Sequence, residues 1–125
     1  MPKELESQTV SPTILIAEDS PLNQELLALI IENLGCRAIV AGNGLDALRE
    51  YESREIDLVL LDLHMPIMDG METAEKIRLV DQLRGQETPI IAVSGTSSEE
   101  SSQRAAKVRI SAWIEKPFDR RELSR

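Results

Sequence analysis

Residues 58–62 read Leu58-Val59-Leu60-Leu61-Asp62, four aliphatic residues closed by an acid. An unbroken aliphatic run of this kind suits a strand buried on both faces. Such strands belong to parallel sheets with helices packed on either side. Thr13-Ile14-Leu15-Ile16-Ala17 and Pro89-Ile90-Ile91-Ala92-Val93 have the same character. Outward from these three runs, Cys36 to Ala41 is predicted as the second strand and Ser111 to Glu115 as the last.

Helices fit the intervals. Ser20 is a good N-cap, with Pro21 at the first helical position. Leu22, Leu26, Leu29, Ile30 and Leu34 follow at helical spacing and are expected to form the buried stripe, with Gly35 closing the helix. Residues 43–53 put Leu45, Leu48 and Tyr51 on the inner side of a second helix. Asp69 with Glu72 is a capping-box pattern ahead of Ala74, Ile77 and Val80. Ser97 with Glu100 repeats it before a weakly amphipathic fourth helix (Ala105, Ala106, Val108), and Asp119 with Glu122 opens a fifth. Seven residues follow Phe118, which limits that last helix to about two turns. The alternation is (βα)5 and implies a doubly wound α/β fold, a parallel sheet with helices on both faces. Residues 1–12, polar and ending in Ser11-Pro12, are expected to be a tail or linker, and 13–125 a single domain.

Composition narrows the function. The 125 residues carry 14 Lys and Arg against 22 Asp and Glu, a net charge of −8. That balance opposes binding to nucleic acid or to an acidic membrane face. The three aromatics, Tyr51, Trp113 and Phe118, are too few for a base-stacking surface. The single cysteine, Cys36, excludes an internal disulfide or a multi-thiolate metal site and is expected to be a small buried hydrophobe. No apolar run approaches the ~20 residues of a membrane span. Met1-Pro2-Lys3-Glu4 has no signal pattern, so a cytoplasmic location is expected.

Open parallel sheets bind ligands beyond the carboxyl ends of their strands. Glu18 and Asp19 follow the first predicted strand, and Asp62 closes the third. Ser94 and Gly95 follow the fourth, and Lys116 and Pro117 the fifth. Three crowded carboxylates raise one another's pKa unless compensated. A hard divalent cation such as magnesium, which prefers oxygen ligands, resolves the conflict. Magnesium beside an ionised aspartate and an ammonium group makes a receptacle for a phosphoryl group, with Lys116 and Ser94 on its remaining oxygens. A carboxylate can itself be the nucleophile and form an acyl phosphate.

Four segments carry a family resemblance: Ile16-Ala17-Glu18-Asp19-Ser20-Pro21-Leu22-Asn23-Gln24, Leu60-Leu61-Asp62-Leu63-His64-Met65-Pro66-Ile67-Met68-Asp69-Gly70, Ile90-Ile91-Ala92-Val93-Ser94-Gly95, and Trp113-Ile114-Glu115-Lys116-Pro117-Phe118. In this order, each at a predicted strand end, they resemble the receiver domain of two-component response regulators from Thr13 to the end. The first segment is most similar to receivers attached to hybrid sensor histidine kinases. The resemblance implies a flavodoxin-like sheet of strand order 2-1-3-4-5. It implies that Asp62 is the phosphoacceptor, taking a phosphoryl group from a histidine kinase or a histidine phosphotransfer protein. It also implies that Asp19, Asp62 and the backbone carbonyl of His64 ligate magnesium, with Glu18 acting through water. The resemblance further implies that Lys116 pairs with the acceptor carboxylate and then with the phosphoryl oxygens, and that its bond to Pro117 is cis. By the same resemblance Ser94 is expected to draw toward the phosphoryl group and free space into which Trp113 turns, changing the surface of the fourth helix, fifth strand and fifth helix. A homodimer through that face is a further implication, against which the short fifth helix counts. Glu18 stands where Asp is commoner, Ser94 where Thr is commoner, and Trp113 where the family has Tyr or Phe.

Other readings compete. His64, the only histidine, is expected to be an exposed side chain at the rim rather than a metal ligand. Gly42-Asn43-Gly44-Leu45-Asp46-Ala47 imitates a dinucleotide fingerprint, with Asp62 twenty residues on. That fingerprint belongs to the first strand of its unit, and a tight strand-to-helix turn through Asn-Gly explains it. A receiver-like interaction module that is never phosphorylated leaves the acid, hydroxyl and amine set idle. A phosphatase with an aspartate nucleophile wants a second acid where His64 stands.

Overall fold

The structure is a computed structural model that describes residues 11–63, 65, 67–94 and 106–115, with the backbone alone at Ser94 and Glu115. Most of the expected tail, His64, most of the fourth helix, Lys116, Pro117 and the fifth helix lie outside the described residues.

Among the described residues the strands are β1 (Thr13–Ala17), β2 (Arg37–Ala41), β3 (Leu58–Asp62), β4 (Ile90–Ser94) and β5 (Ala112–Glu115). They form one parallel sheet in the order 2-1-3-4-5. The helices among the same residues are α1 (Pro21–Asn33), α2 (Gly44–Ser53) and α3 (Gly70–Arg84). This is the flavodoxin-like architecture expected from the sequence. None of the described helices is long and apolar enough to cross a membrane.

The aliphatic runs are buried on both faces, as unbroken patterns require. Leu15, Ala17, Val59, Leu61, Ile90 and Ala92 face α2 and α3, which contribute Ala47, Tyr51, Ala74 and Ile77. Ile14, Ile16 and Leu60 face the other way, onto Leu27 and Ile31 of α1. Cys36 is half-buried against that second cluster, short of the full burial expected.

Capping is local and matches the sequence reading. The Ser20 hydroxyl accepts from the Asn23 N–H, and Pro21 starts α1. Gly35 follows α1 in the left-handed region (φ 87°), as a helix-closing glycine does. The Asp69 carboxylate accepts from the Glu72 N–H at 2.8 Å. Asn43 caps α2 through its bond from the Asp46 N–H. A Cβ on Gly44 would stand 2.1 Å from Thr73 Oγ1 and 2.6 Å from the Met68 carbonyl. The glycine therefore serves contact between α2 and α3, not the approach of a pyrophosphate, and the dinucleotide reading falls.

The inner face of α1 differs from expectation. Leu22, Leu26, Leu29 and Leu34 are exposed, whereas Leu27, Ile30 and Ile31 are buried. Of the expected stripe only Ile30 faces inward. Apolar residues occupy most of the circumference of this helix, so spacing alone does not choose a face. The choice is made by Ile14, Ile16 and Leu60 of the sheet, which receive Leu27 and Ile31.

Candidate functional site

The chain passes from β1 to β2 on one side and returns to β3 on the other, so the order reverses between β1 and β3. That reversal opens a crevice at the carboxyl edge of the sheet. The residues entering it are those that end the two strands.

Glu18 continues β1, its N–H bonding the Ala41 carbonyl at 3.0 Å. This extension holds the Glu18 side chain at the edge, where one carboxylate oxygen accepts from the Ser20 N–H at 3.1 Å. The Gln24 amide, one turn into α1, donates to the Glu18 carbonyl at 2.7 Å and fixes the loop from the helix side. Asp62 ends β3 opposite Val93, and the next residue stays in the ladder through Leu63 N–H to Val93 carbonyl, 3.1 Å. The loop after it folds straight back, Gly70 N–H bonding the Leu63 carbonyl at 3.2 Å. A Cβ on Gly70 would lie 2.4 Å from the Asp62 carbonyl, so only glycine lets α3 start this close to the Asp62 backbone.

These constraints converge Glu18, Asp19 and Asp62. Each offers a carboxylate oxygen, and the three oxygens lie within 4.8 Å of one another. Glu18 is 1% exposed and Asp62 2%, while Asp19 faces solvent. Buried carboxylates are held only by opposite charge or by donors. The cluster offers oxygen and neither thiol nor imidazole, the donor set of a hard divalent cation. The residues present fit magnesium.

The remaining expected site residues divide. Ser94 ends β4 at the same edge, paired with Glu115 of β5 and one position beyond the partner of Asp62. Trp113 lies in β5 opposite Ala92, half-buried against the α2–α3 side of the core. Lys116 and His64 lie outside the described residues. The sequence reading did not single out Gln24 or explain Gly70. The Ser20 cap places residue 24 one turn in, over the loop, which was the available signal for Gln24. The signal for Gly70 was its position at the first turn of a helix that starts beside a strand end.

Comparison with known proteins agrees with the fold and the segments. Residues 14–125 match the response regulator receiver domain family. The chain belongs to that family. It is 35% identical over 104 residues to the sensor histidine kinase RcsC of Escherichia coli, and 32% identical over 107 residues to the autoinducer 1 sensor kinase/phosphatase LuxN of Vibrio harveyi. The alignments cover 83% and 86% of this chain, but only 10% and 12% of those proteins. The chain thus spans about a tenth of the length of these relatives. Both are sensor kinases, the group that the first segment most resembles. Among solved structures, the receiver domain of sensor histidine kinase PA1611 from Pseudomonas aeruginosa superposes with a TM-score of 0.81 at 29% identity, over 92% of this chain and 93% of that one. That structure has a magnesium ion coordinated in its active-site cleft.

Proposed function

We propose that residues 13–125 form a magnesium-dependent phosphoacceptor switch, with 1–12 as a linker. The observation that carries the reading is the convergence of Glu18, Asp19 and Asp62 at the sheet edge, with Asp62 buried at the end of its strand. The Asp62 carboxylate attacks the phosphorus of a phosphohistidine on a histidine kinase or phosphotransfer protein. An oxygen–phosphorus bond forms, the phosphorus–nitrogen bond breaks, and the imidazole leaves. Asp19, Asp62 and the His64 carbonyl would hold magnesium, with Glu18 through water. When bound, the cation neutralises charge on the transferring group. Lys116 and Ser94 bind the phosphoryl oxygens, and Trp113 turns in response.

Several features support this reading. Leu22, Leu26 and Leu29 form an exposed apolar strip on α1 that starts three residues after Asp19, suited to a partner that must bring its histidine to the site. The net charge of −8 speaks against direct nucleic-acid binding by this domain. A cytoplasmic location and a homodimer through the face of the fourth helix, fifth strand and fifth helix complete the proposal. The domain turns over no outside substrate.

The test is the intact mass after incubation with magnesium and a small acyl phosphate. The parent should gain one phosphoryl group, and neither Asp62→Asn nor the parent with chelator should gain any. A folded parent that stays unmodified and ignores beryllofluoride would instead be an interaction module that is never phosphorylated.

A further inference from the structure

At the opposite edge of the sheet from the acids lies a buried polar cluster that the phosphoacceptor reading does not use. Arg78, in the middle of α3, is 7% exposed. Its Nε donates to the Val108 carbonyl at 2.8 Å and its Nη2 to the Arg109 carbonyl at 2.8 Å. Its Nη1 donates to the Thr88 carbonyl at 2.7 Å and to Asp81 at 2.7 Å. Asp81 is 1% exposed and also accepts from the Tyr51 hydroxyl, the Thr88 N–H at 3.1 Å and the Gln86 amide at 3.2 Å.

One side chain therefore joins α3 to the entry of β4, through Thr88, and to the entry of β5, through Val108 and Arg109. The turn it grips is specific. Arg109 stands in the left-handed region at φ 57°, its N–H bonding the Ala106 carbonyl at 3.3 Å. The Arg109 side chain ties down to Glu87 from outside at 2.5 Å. Ser111 then joins the sheet through the Ile90 carbonyl at 2.8 Å. Trp113 follows two residues later.

A buried ion pair is a poor device for stability alone, since apolar residues of similar size often serve as well or better. What an apolar side chain cannot do is fix two successive carbonyls in one orientation. A guanidinium fork does this, and a lysine ammonium, a point charge, does not.

We infer that Arg78 is a positioning residue of the switch, holding the base of β5 so that a change at the acid edge is expressed as rotation of Trp113 against a fixed backbone rather than as sliding of the strand. The inference rests on the phosphoacceptor reading.

The experiment uses the chain's single tryptophan. Amide exchange and Trp113 emission are measured with and without phosphorylation by a small acyl phosphate and magnesium. Arg78→Lys should speed exchange of the Ile110–Trp113 amides at least tenfold and leave β1 and β3 unchanged. It should take up one phosphoryl group by mass as the parent does, and lose more than half of the Trp113 response. Asp81→Asn, which leaves the guanidinium on its carbonyls, should keep that response. If Arg78→Lys does not fold, the paired change Arg78→Met with Asp81→Leu removes both charges and should show the same uncoupling. Parent-like exchange at 110–113, exchange raised evenly over the whole sheet, or a full Trp113 response in the Arg78 variants overturns the inference. A parent that takes up no phosphoryl group overturns the phosphoacceptor reading, and this role of Arg78 with it.

Discussion

At the scale of single residues, the glycines separate two kinds of constraint. Gly70 has no room for a Cβ, because Asp62 and Leu63 backbone atoms occupy the space. Gly85, after α3, has open space but a φ of 68°. Gly85→Ala should cost about 1–2 kcal/mol from the left-handed backbone and leave the acid cluster intact. Gly70→Ala should cost about 1–3 kcal/mol by overpacking and also displace the Asp62 backbone. Urea unfolding of both variants, read beside phosphoryl uptake by mass, checks the distinction. Uptake should slow only in Gly70→Ala, and equal uptake in both would refute the coupling of Gly70 to the site. The sequence marks Gly70 only as the end of a motif. The reason for it, a close approach of α3 to the backbone of Asp62, exists only once β3 and α3 are in place.

At the scale of elements, β1, β3 and β4 were readable because an aliphatic run buried on both faces admits few other interpretations. Helix α1 was readable as a helix, through Ser20 and Pro21, but its orientation was not. Leu26, Leu27, Leu29, Ile30 and Ile31 surround it, and periodicity needs a polar side to be informative. The orientation has an energetic signature. Leu27→Ala removes a side chain that is 1% exposed and should cost about 2–5 kcal/mol. Leu26→Ala and Leu29→Ala change residues that are 41% and 57% exposed and should stay within about 0.5 kcal/mol. Denaturant midpoints of the three variants measure this directly. A large loss for Leu26 or Leu29 would restore the stripe that spacing suggested.

At the scale of the whole molecule, Glu18, Asp19 and Asp62 were foreseeable because topology sends strand ends to one edge. The Tyr51–Asp81–Arg78 cluster was not, because the bonds that assemble it from separate elements span 30 or more residues, among them Tyr51 to Asp81, Tyr51 to Thr88 and Arg78 to Val108. Arg78 and Asp81 lie one turn apart on the helix side that carries Ala74 and Ile77, and charge on an apolar stripe was the only hint. This cluster predicts how the fold responds to pH. Burial alone would raise the Asp81 pKa, but hydrogen bonds from Tyr51, Gln86, the Thr88 N–H and Arg78 outweigh it and hold the carboxyl below its ordinary value. Its stabilising contribution is therefore full above the unfolded value near ~3.9 and is lost as pH falls through the lower folded value. Tyr51 is shifted up, by burial first and then by its bond to Asp81. Its contribution is full below the unfolded value near ~10 and is lost as pH rises through the higher folded value. Thermal unfolding from pH 3 to pH 11 should show both limbs in the parent. Asp81→Asn should flatten the acid limb. Tyr51→Phe should flatten the alkaline limb and cost about 1–3 kcal/mol at neutral pH, because Asp81 loses a donor while still buried. Variant curves parallel to the parent at both ends would mean that other groups set the pH response.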